Sequence, residues 1–441
     1  MKLDNWLAQR SQSCPDRAAL LVEGAEVSFA ELEAESLWVA RRLAAQGVRR
    51  ESIVALTMRP NREQVVLVHA LMKLGAVLLP LNPGMSAEER AEIIAREEPA
   101  VDLDDPGELT QTEADLPLLG EHDMDDVACR LMTSGSSGTP HPVGLTYGNF
   151  LWSAVGSAFN IGVDPRDRWL CCLPLSHVSG LGIVMRSAIY GTTAVLHDGF
   201  DVDRVAAALA DDRITVVSLV TTMLTRLLEA GADLSGPRAI LVGGGPVPED
   251  PLEEATARGA TVVQTYGLTE ACSQVTTLAP SDARRKLGSA GRPLLTTHLR
   301  IQDGEILVQG PTVAPGLADP DDWLHTGDLG RIDEEGFLYV EDRMDDMIVT
   351  GGENVVPAEV EKVLLRHPEV ADAAVVGRED PEWQQAVTAI VVLEDGSAVT
   401  PDELRRHCAE ALAGFKVPKR VELAAALPRT PSGKLMRRAL R

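Results

Sequence analysis

The stretch NREQVVLVHALMKLGAVLLPLNP, residues 61–83, joins two patterns of apolar residues at Gly75. Before this glycine, apolar residues recur at the three- and four-residue spacing of a helix, and after it VLLPL is a short, continuous apolar run. A helix followed at once by a short buried strand is typical of a parallel sheet covered by helices. The stretch therefore predicts an α/β fold.

The same pattern occurs elsewhere in the chain. Residues 28–48 have apolar positions at helical spacing after Ser28, which suits a helix N-cap, and SIVALTM (52–58) predicts the next strand. Further strands are predicted at RWLCCLPL, TTAVLH, ITVVSLV, RAILVGGG and ATVVQTYG. Several end in Gly- or Ser-rich turns, and ligands of open α/β sheets bind at the carboxyl ends of strands.

The sequence pattern changes around Gly304, where predicted short strands alternate with Gly/Asp turns. After Asp346, two helical patterns and two strands suffice for a small α+β domain. We therefore predict a large N-terminal domain of α/β subdomains with a β-rich end, residues 1–342, and a C-terminal domain, residues 343–441. The acidic stretch 101–126 is predicted to be a surface connection.

Composition limits the classes of partner. The chain has 441 residues, with 41 basic and 66 acidic side chains and a net charge of −25, which argues against nucleic acid and anionic membrane surfaces. The N-terminus lacks an apolar signal region, and the most apolar stretch, 65–81, is interrupted by charged residues and proline, so we expect no integral membrane segment and a cytoplasmic protein. The six cysteines lack metal-binding spacing. A homo-oligomer stays open.

Two glycine-containing turns suggest phosphate or nucleotide binding. TSGSSGTPHPVGLTYGNF (133–150) matches neither a Walker A loop nor a hydrolase elbow, but its small residues let backbone N–H groups converge on an anion. LVGGGPVP (241–248) departs from the dinucleotide fingerprint at Pro248, although its glycines allow close approach to a flat ligand. Taken alone, each turn is better explained by a structural role.

Five more motifs follow the first loop in order: YGLTEACSQ (266–274), GSAGRP (288–293), HTGDLG (325–330), DRMDDMIVTGGENVVPAEVE (342–361) and PRTPSGKLMRR (428–438). The ordered set resembles the adenylate-forming superfamily of acyl- and aryl-CoA ligases, peptide-synthetase adenylation domains and luciferases, over essentially the whole chain. The resemblance implies small-molecule substrates and a mobile C-terminal lid domain. It also implies that ATP and a carboxylic acid form an acyl-adenylate, with Mg²⁺, before coenzyme A accepts the acyl group.

The resemblance also implies roles for single residues. Lys434 would bridge the carboxylate and the α-phosphate, Glu270 would carry Mg²⁺, and Thr269 would donate to the α-phosphate. Asp328 and Arg343 would hold the ribose. The other ATP-binding positions implied are Thr133, Ser134, Gly135, Ser136, Ser137, Gly138, Gly244, Gly245, Pro246, Tyr266 and Gly267. Asp345 matches the hinge between the domains, and Gly351 and Gly352 match the turn near the coenzyme A arm.

The acid is suggested by LPLSHVSGLGIVMRSAIYG (173–191). His177 matches the acyl-pocket position of CoA ligases, and Gly267 would also border the acyl group. Arg186 is a cation within an apolar run, and burying it is costly unless it is paired. An internal salt bridge is one interpretation. With the other motifs, however, the stretch looks most like the o-succinylbenzoate–CoA ligases of menaquinone biosynthesis, whose substrate has two carboxylates, so Arg186 is the candidate for the second and Lys286 a weaker one.

The first loop departs from the superfamily pattern. His141 stands where lysine is usual and Pro142 where glycine or alanine is usual, which removes a charge and an N–H donor. We expect weaker binding of ATP and pyrophosphate. Two alternatives therefore stay open: a ligase for another aryl or medium-chain acid, and a degenerate protein that binds nucleotide or acyl-adenylate without useful ligase activity.

Overall fold

The computed structural model describes residues 1–104, 109–133, 141–245, 247–350, 353–381, 383–429 and 435–441, without the side chains of residues 345 and 354. The chain forms two compact units. The first consists of Met1–Gly243, Glu249–Leu299 and Val308–Leu324, and the second of Gly244–Pro248, Arg300–Leu307 and His325–Arg441.

Several helices begin at capping boxes, in which a Ser or Thr side chain and the side chain three residues later exchange hydrogen bonds with each other's backbone N–H groups. Ser28 caps its helix in this way, as predicted. The helices are α1 (Trp6–Ser13), α2 (Phe29–Ala45), α3 (Arg62–Leu74), α4 (Ala87–Glu97), α5 (Tyr147–Ile161), α6 (Val178–Tyr190), α7 (Val202–Asp211), α8 (Thr221–Glu229), α9 (Glu249–Ala257), α10 (Pro357–Leu365) and α11 (Pro401–Ala411).

The largest sheet of the first unit has nine strands in the described chain. Its strands are β2 (Ala18–Val22), β3 (Ala25–Ser28), β10 (Arg168–Cys171), β11 (Thr193–Leu196), β12 (Val216–Val220), β13 (Ala239–Gly243), β14 (Val262–Leu268), β15 (Ser273–Thr277) and β16 (Arg292–Pro293). The spatial order is β16-β15-β14-β13-β12-β10-β11-β2-β3. Neighbours from β14 to β2 are parallel, and the strands outside them are antiparallel.

A second sheet of the first unit follows the order β6-β4-β5-β8-β9. Its strands are β4 (Ile53–Thr57), β5 (Val77–Leu81), β6 (Val101–Leu103), β8 (Val127–Thr133) and β9 (His141–Thr146). The opening stretch of the sequence analysis supplies α3 and β5, whose strand residues are all buried, and β5 is parallel to both of its neighbours. The predicted helix, glycine and strand are confirmed, with Gly75 in the left-handed conformation at φ 65°.

Two further sheets contain the strands that follow. The four-stranded sheet has the order of its chain: β17 (His298–Gln302), β18 (Glu305–Gln309), β19 (Leu324–Ile332) and β20 (Leu338–Arg343). The other sheet consists of β21 (Ile348–Thr350), β22 (Glu353–Val355), β23 (Val370–Asp380), β24 (Gln384–Leu393) and β25 (Arg420–Leu423). With α10 and α11 it forms the α+β end of the chain, so the predicted class, a large α/β part and a smaller α+β part, is confirmed.

The stretch 101–126 differs from its prediction. It contributes β6 to the second sheet, and β7 (Glu121–Asp123) pairs with β1 (Lys2–Asp4). Leu109 and His122 are buried. The acidic composition concealed these contacts, because single apolar residues between acidic ones carry no clear periodicity.

The boundary predicted between residues 342 and 343 lies inside the second compact unit. The predicted boundary concerns the position of a hinge, whereas the compact units are defined by the contacts within each of them. The hinge therefore remains a prediction. Among the described helices, none has both the length and the apolar character needed to cross a membrane.

Candidate active site

The end of strand β14 and the turn that follows it carry four of the predicted residues. Tyr266 is 8% exposed, and the register with β15 shifts between Tyr266 and Gly267. A Cβ atom on Gly267 would lie 1.7 Å from the carbonyl oxygen of Ser273, so only glycine fits this position. The chain then forms the 3-10 turn Thr269–Ala271, which holds Thr269 and Glu270 at the carboxyl end of the strand.

Glu270 is partly buried in this 3-10 turn. Its backbone oxygen accepts a hydrogen bond from Ala314 N at 2.8 Å. No side chain of the described residues pairs with its carboxylate. Carboxylate oxygens are the ligands that Mg²⁺ takes alongside phosphate oxygens and water, so the donor chemistry of Glu270 fits the ion expected there.

The first turn of α5 contacts the segment that is hydrogen-bonded to the backbone of Glu270. Asn149 completes the capping box with Thr146. Its Nδ2 also donates to the carbonyl oxygens of Pro311 (2.9 Å) and Val313 (3.1 Å), next to the Ala314 that binds Glu270. Sequence reasoning included this asparagine only in the loop 133–150 and missed its positioning contacts.

Arg186 lies on α6 and is 4% exposed. Its Nη2 donates to Ser153 Oγ at 2.9 Å, and its guanidinium carbon lies 5.7 Å from the ring centre of Trp169. Within the described part of the chain it pairs with no carboxylate, and its Nε is buried without a hydrogen-bond partner. Burial therefore lowers the pKa of Arg186. The internal salt bridge that the sequence left open is not formed with any described residue.

Ser153 links this arginine to the Glu270 turn. Its hydroxyl accepts from Arg186 and donates to the carbonyl oxygen of Cys272 at 2.7 Å, two residues beyond Glu270. Sequence reasoning missed Ser153, because a serine on a helix face has no motif of its own. His177 precedes α6 as its N-cap, and burial lowers the pKa of its imidazole, which favours the neutral form.

Asp328 and Arg343, both predicted to contact the ribose, lie side by side in the second unit. They are register partners on β19 and β20, and Arg343 Nη1 lies 2.9 Å from Asp328 Oδ1. The Asp328 side chain is 10% exposed and the Arg343 side chain 36%. The backbone N–H of Asp328 donates to Thr326 Oγ1, which holds the backbone of Asp328 in position.

Several predicted residues lie outside the described part of the chain. These are Ser134, Gly135, Ser136, Ser137, Gly138, Pro246, Gly351, Gly352 and Lys434, together with the side chain of Asp345. Of the first loop, the structure describes the two ends: Thr133 and His141 are register partners on β8 and β9, and Thr133 Oγ1 donates to the carbonyl oxygen of His141 at 3.3 Å. Gly244 and Gly245 follow β13 in a bend, with Gly244 at φ 86°.

Known proteins resemble the chain along its whole length. The family model described as AMP-binding enzyme matches residues 7–119 and 102–318, and the model of the AMP-binding enzyme C-terminal domain matches residues 359–434. The 2-succinylbenzoate–CoA ligase of Bacillus cereus is 41% identical over 476 residues, covering 100% of this chain and 98% of the relative. That of Geobacillus kaustophilus is 42% identical over 478 residues, covering 100% and 97%.

A solved structure gives the same result. The o-succinylbenzoate CoA synthetase of Bacillus subtilis in complex with the acyl-adenylate intermediate OSB-AMP superimposes with a TM-score of 0.94 at 40% identity, covering 100% of this chain and 98% of that one.

Proposed function

Because the chain belongs to the AMP-binding enzyme family, we propose that it joins o-succinylbenzoate to coenzyme A through an acyl-adenylate. In the first half-reaction a carboxylate oxygen of the acid attacks the α-phosphorus of ATP and pyrophosphate leaves. In the second, the thiol sulfur of coenzyme A attacks the acyl carbon, AMP leaves, and the thiol proton is lost to the medium. The product is a thioester in the pathway of menaquinone biosynthesis.

We assign the chemistry of the first half-reaction to the end of β14 and to Lys434. Two anions must meet there, so groups that neutralise charge in the in-line transition state matter most. Mg²⁺ held by Glu270 would reduce the charge of the phosphates, and the Thr269 hydroxyl would donate to the α-phosphate. Lys434 would bridge the carboxylate and the phosphate, while Asp328 and Arg343 would hold the ribose.

The observation that carries the choice of acid is the unpaired Arg186. A guanidinium that is 4% exposed and pairs with no carboxylate of the described chain has lost its hydration without gaining a counter-charge. The second carboxylate of o-succinylbenzoate would supply that charge. Ser153 would orient the guanidinium from its other side, and its bond to Cys272 fixes Arg186 relative to the turn that bears Glu270.

The proposal is tested by pyrophosphate release with ATP, Mg²⁺ and a panel of acids. We expect release with o-succinylbenzoate and little with an analogue that lacks the second carboxylate. The substitution Arg186→Gln should raise the KM for o-succinylbenzoate about 10- to 100-fold, because a charged hydrogen-bonding partner is lost, and should leave the KM for ATP unchanged.

Matched measurements separate the alternatives. Lys286→Gln removes the weaker candidate cation, and a loss of selectivity in this variant alone would move the assignment to Lys286. Release with mono-acids that Arg186→Gln leaves unchanged would favour a ligase for another aryl or medium-chain acid. No release with any acid would leave a protein that only binds nucleotide or acyl-adenylate.

The proposed reaction needs ATP and coenzyme A, and their supply in the cytoplasm supports a cytoplasmic location.

A further inference from the structure

The second unit contains a cluster of buried charges around Arg437, whose side chain is 12% exposed. Its Nη2 lies 2.7 Å from Glu361 Oε2, and its Nη1 lies 3.2 Å from Asp346 Oδ2 and 3.8 Å from Asp342 Oδ1. The exposed fractions of the carboxylate side chains are 11% for Glu361, 19% for Asp346 and 3% for Asp342. Three carboxylates therefore converge on one guanidinium that is almost completely buried.

The three carboxylates come from three elements. Asp342 lies near the end of β20, Asp346 in the 3-10 turn Met344–Asp346, and Glu361 in α10. Backbone groups fix two of them, since Asp342 Oδ2 accepts from Ala358 N and Glu361 Oε1 accepts from Val375 N. Burial raises the pKa of both carboxyl groups, and Arg437 opposes that shift. Arg437 is thus the main counter-charge of a preformed carboxylate cradle.

The chain around Arg437 is held at other points as well. Leu435 forms an isolated β-bridge with Arg429, and Leu440 accepts hydrogen bonds from the Arg378 side chain through its carbonyl oxygen. Leu435 and Leu440 pack against a small buried core that includes Val376 and Ile390. These contacts hold the chain on both sides of Arg437, whereas among the described residues its ion pairs with the turn Met344–Asp346 and with α10 are made by Arg437 and, at Asp346, by the exposed Arg441.

We infer that Arg437 is a positioning residue for acyl-adenylate formation. It anchors the chain three residues after Lys434 to the turn that contains the predicted hinge position, Asp345, and to α10. The inference rests on the proposed function, which assigns Lys434 to the first half-reaction. Since Lys434 would bridge two reactants in that step alone, a loosened anchor should slow acyl-adenylate formation and spare thioester formation.

The test measures the two half-reactions of the full-length protein separately. Pyrophosphate release from ATP and o-succinylbenzoate reports the first, and thioester formation from preformed o-succinylbenzoyl-adenylate and coenzyme A reports the second. For Arg437→Ala we expect the first rate to fall about 100-fold, as expected for misplacement of a reacting group, with the fall in kcat rather than in the KM for ATP. The second rate should stay close to that of the unaltered protein, which also shows that the variant is folded.

Three more variants complete the test. Arg437→Lys should recover part of the first rate, because lysine keeps the charge but not the two-point contact with Glu361. Arg438→Ala removes the exposed arginine that follows Arg437 in the 3-10 turn Arg437–Leu440, and should change neither rate. If Arg437→Ala does not fold, Asp346→Asn loosens the same anchor more gently and should give a smaller fall in the first rate alone.

Two results would overturn the inference: equal falls in both half-reactions, or no fall in either, for a folded variant. They are distinct from failure of the proposed function, in which the unaltered protein itself would release no pyrophosphate with o-succinylbenzoate.

Discussion

Arg186 and Arg437 are both buried arginines, yet their surroundings are opposite. Arg437 is surrounded by three carboxylates, whereas Arg186 contacts a serine hydroxyl and an aromatic ring and pairs with no carboxylate of the described chain. A buried arginine that already contacts carboxylates needs no further counter-charge, whereas one without a carboxylate partner is suited to an anionic ligand. In the sequence, the apolar neighbours of Arg186 indicate its burial but not the missing partner.

His141 offers a test at the scale of one residue. It is exposed at the start of β9, at the end of the first loop where the superfamily has lysine. His141→Lys adds a positive charge near the expected phosphates, and a surface charge interaction of about 1 kcal/mol predicts ATP binding that is about five-fold tighter. Isothermal titration with ATP and Mg²⁺ measures the change.

The preferred acid should be unchanged in this variant, because the loop is expected to contact phosphates only. An unchanged ATP affinity would mean that the loop holds phosphate through backbone and hydroxyl groups alone.

At the scale of elements, α3, β7 and α5 show why burial is hard to foresee. His69 on α3 and His122 on β7 are each 2% exposed, and the His122 ring stacks on Tyr147 of α5 with ring centres 4.0 Å apart. The apolar periodicity of residues 61–74 predicted the helix α3, but not that His69 is buried within it. The three residues of β7 are too few to show alternation, so only the tertiary structure reveals that His122 is buried against Tyr147.

These two histidines predict a pH dependence of stability. Burial, together with a smaller effect of the nearby Lys73, lowers the pKa of His69 to about 3 and that of His122 to about 4, while Asp126 opposes the shift at His122. The unfolded chain takes up protons near pH 6.5 and the folded chain only near pH 3 to 4. The unfolded state therefore binds more protons between these values, and the free energy of unfolding should fall as the pH falls from about 6.5.

At pH 5 each histidine should lower the free energy of unfolding by about 2 kcal/mol relative to pH 7.5. Urea unfolding at the two pH values measures the sum. His122→Gln should reduce the fall by about 2 kcal/mol, whereas His298→Gln, which changes an exposed histidine, serves as the control. A pH dependence that persists undiminished in His122→Gln would contradict the assignment.

At the scale of the whole molecule, the predicted movement concerns Asp345. Its backbone lies in the 3-10 turn Met344–Asp346, in which proline is tolerated at an early position because its φ is compatible with the turn. Asp345→Pro fixes φ at the predicted hinge. We expect acyl-adenylate formation to be retained and thioester formation to fall at least about ten-fold, if the second step needs that rotation.

Separate assays of the two half-reactions measure this split. Asp345→Ala changes the side chain without fixing φ and should keep both rates. A proline variant with both rates intact would place the hinge elsewhere.

The sequence by itself determined the family, the α/β class and the order of the motifs. Helix and strand periodicities and motif spacings are properties of the chain, so they can be recognised before folding is considered. Only the tertiary structure decided which charges are paired: that Asp328 meets Arg343, that Arg437 gathers Asp342, Asp346 and Glu361, and that Arg186 finds no carboxylate in the described chain. The physical reason is that pairing and desolvation depend on distances between residues far apart in the chain, which local patterns do not encode.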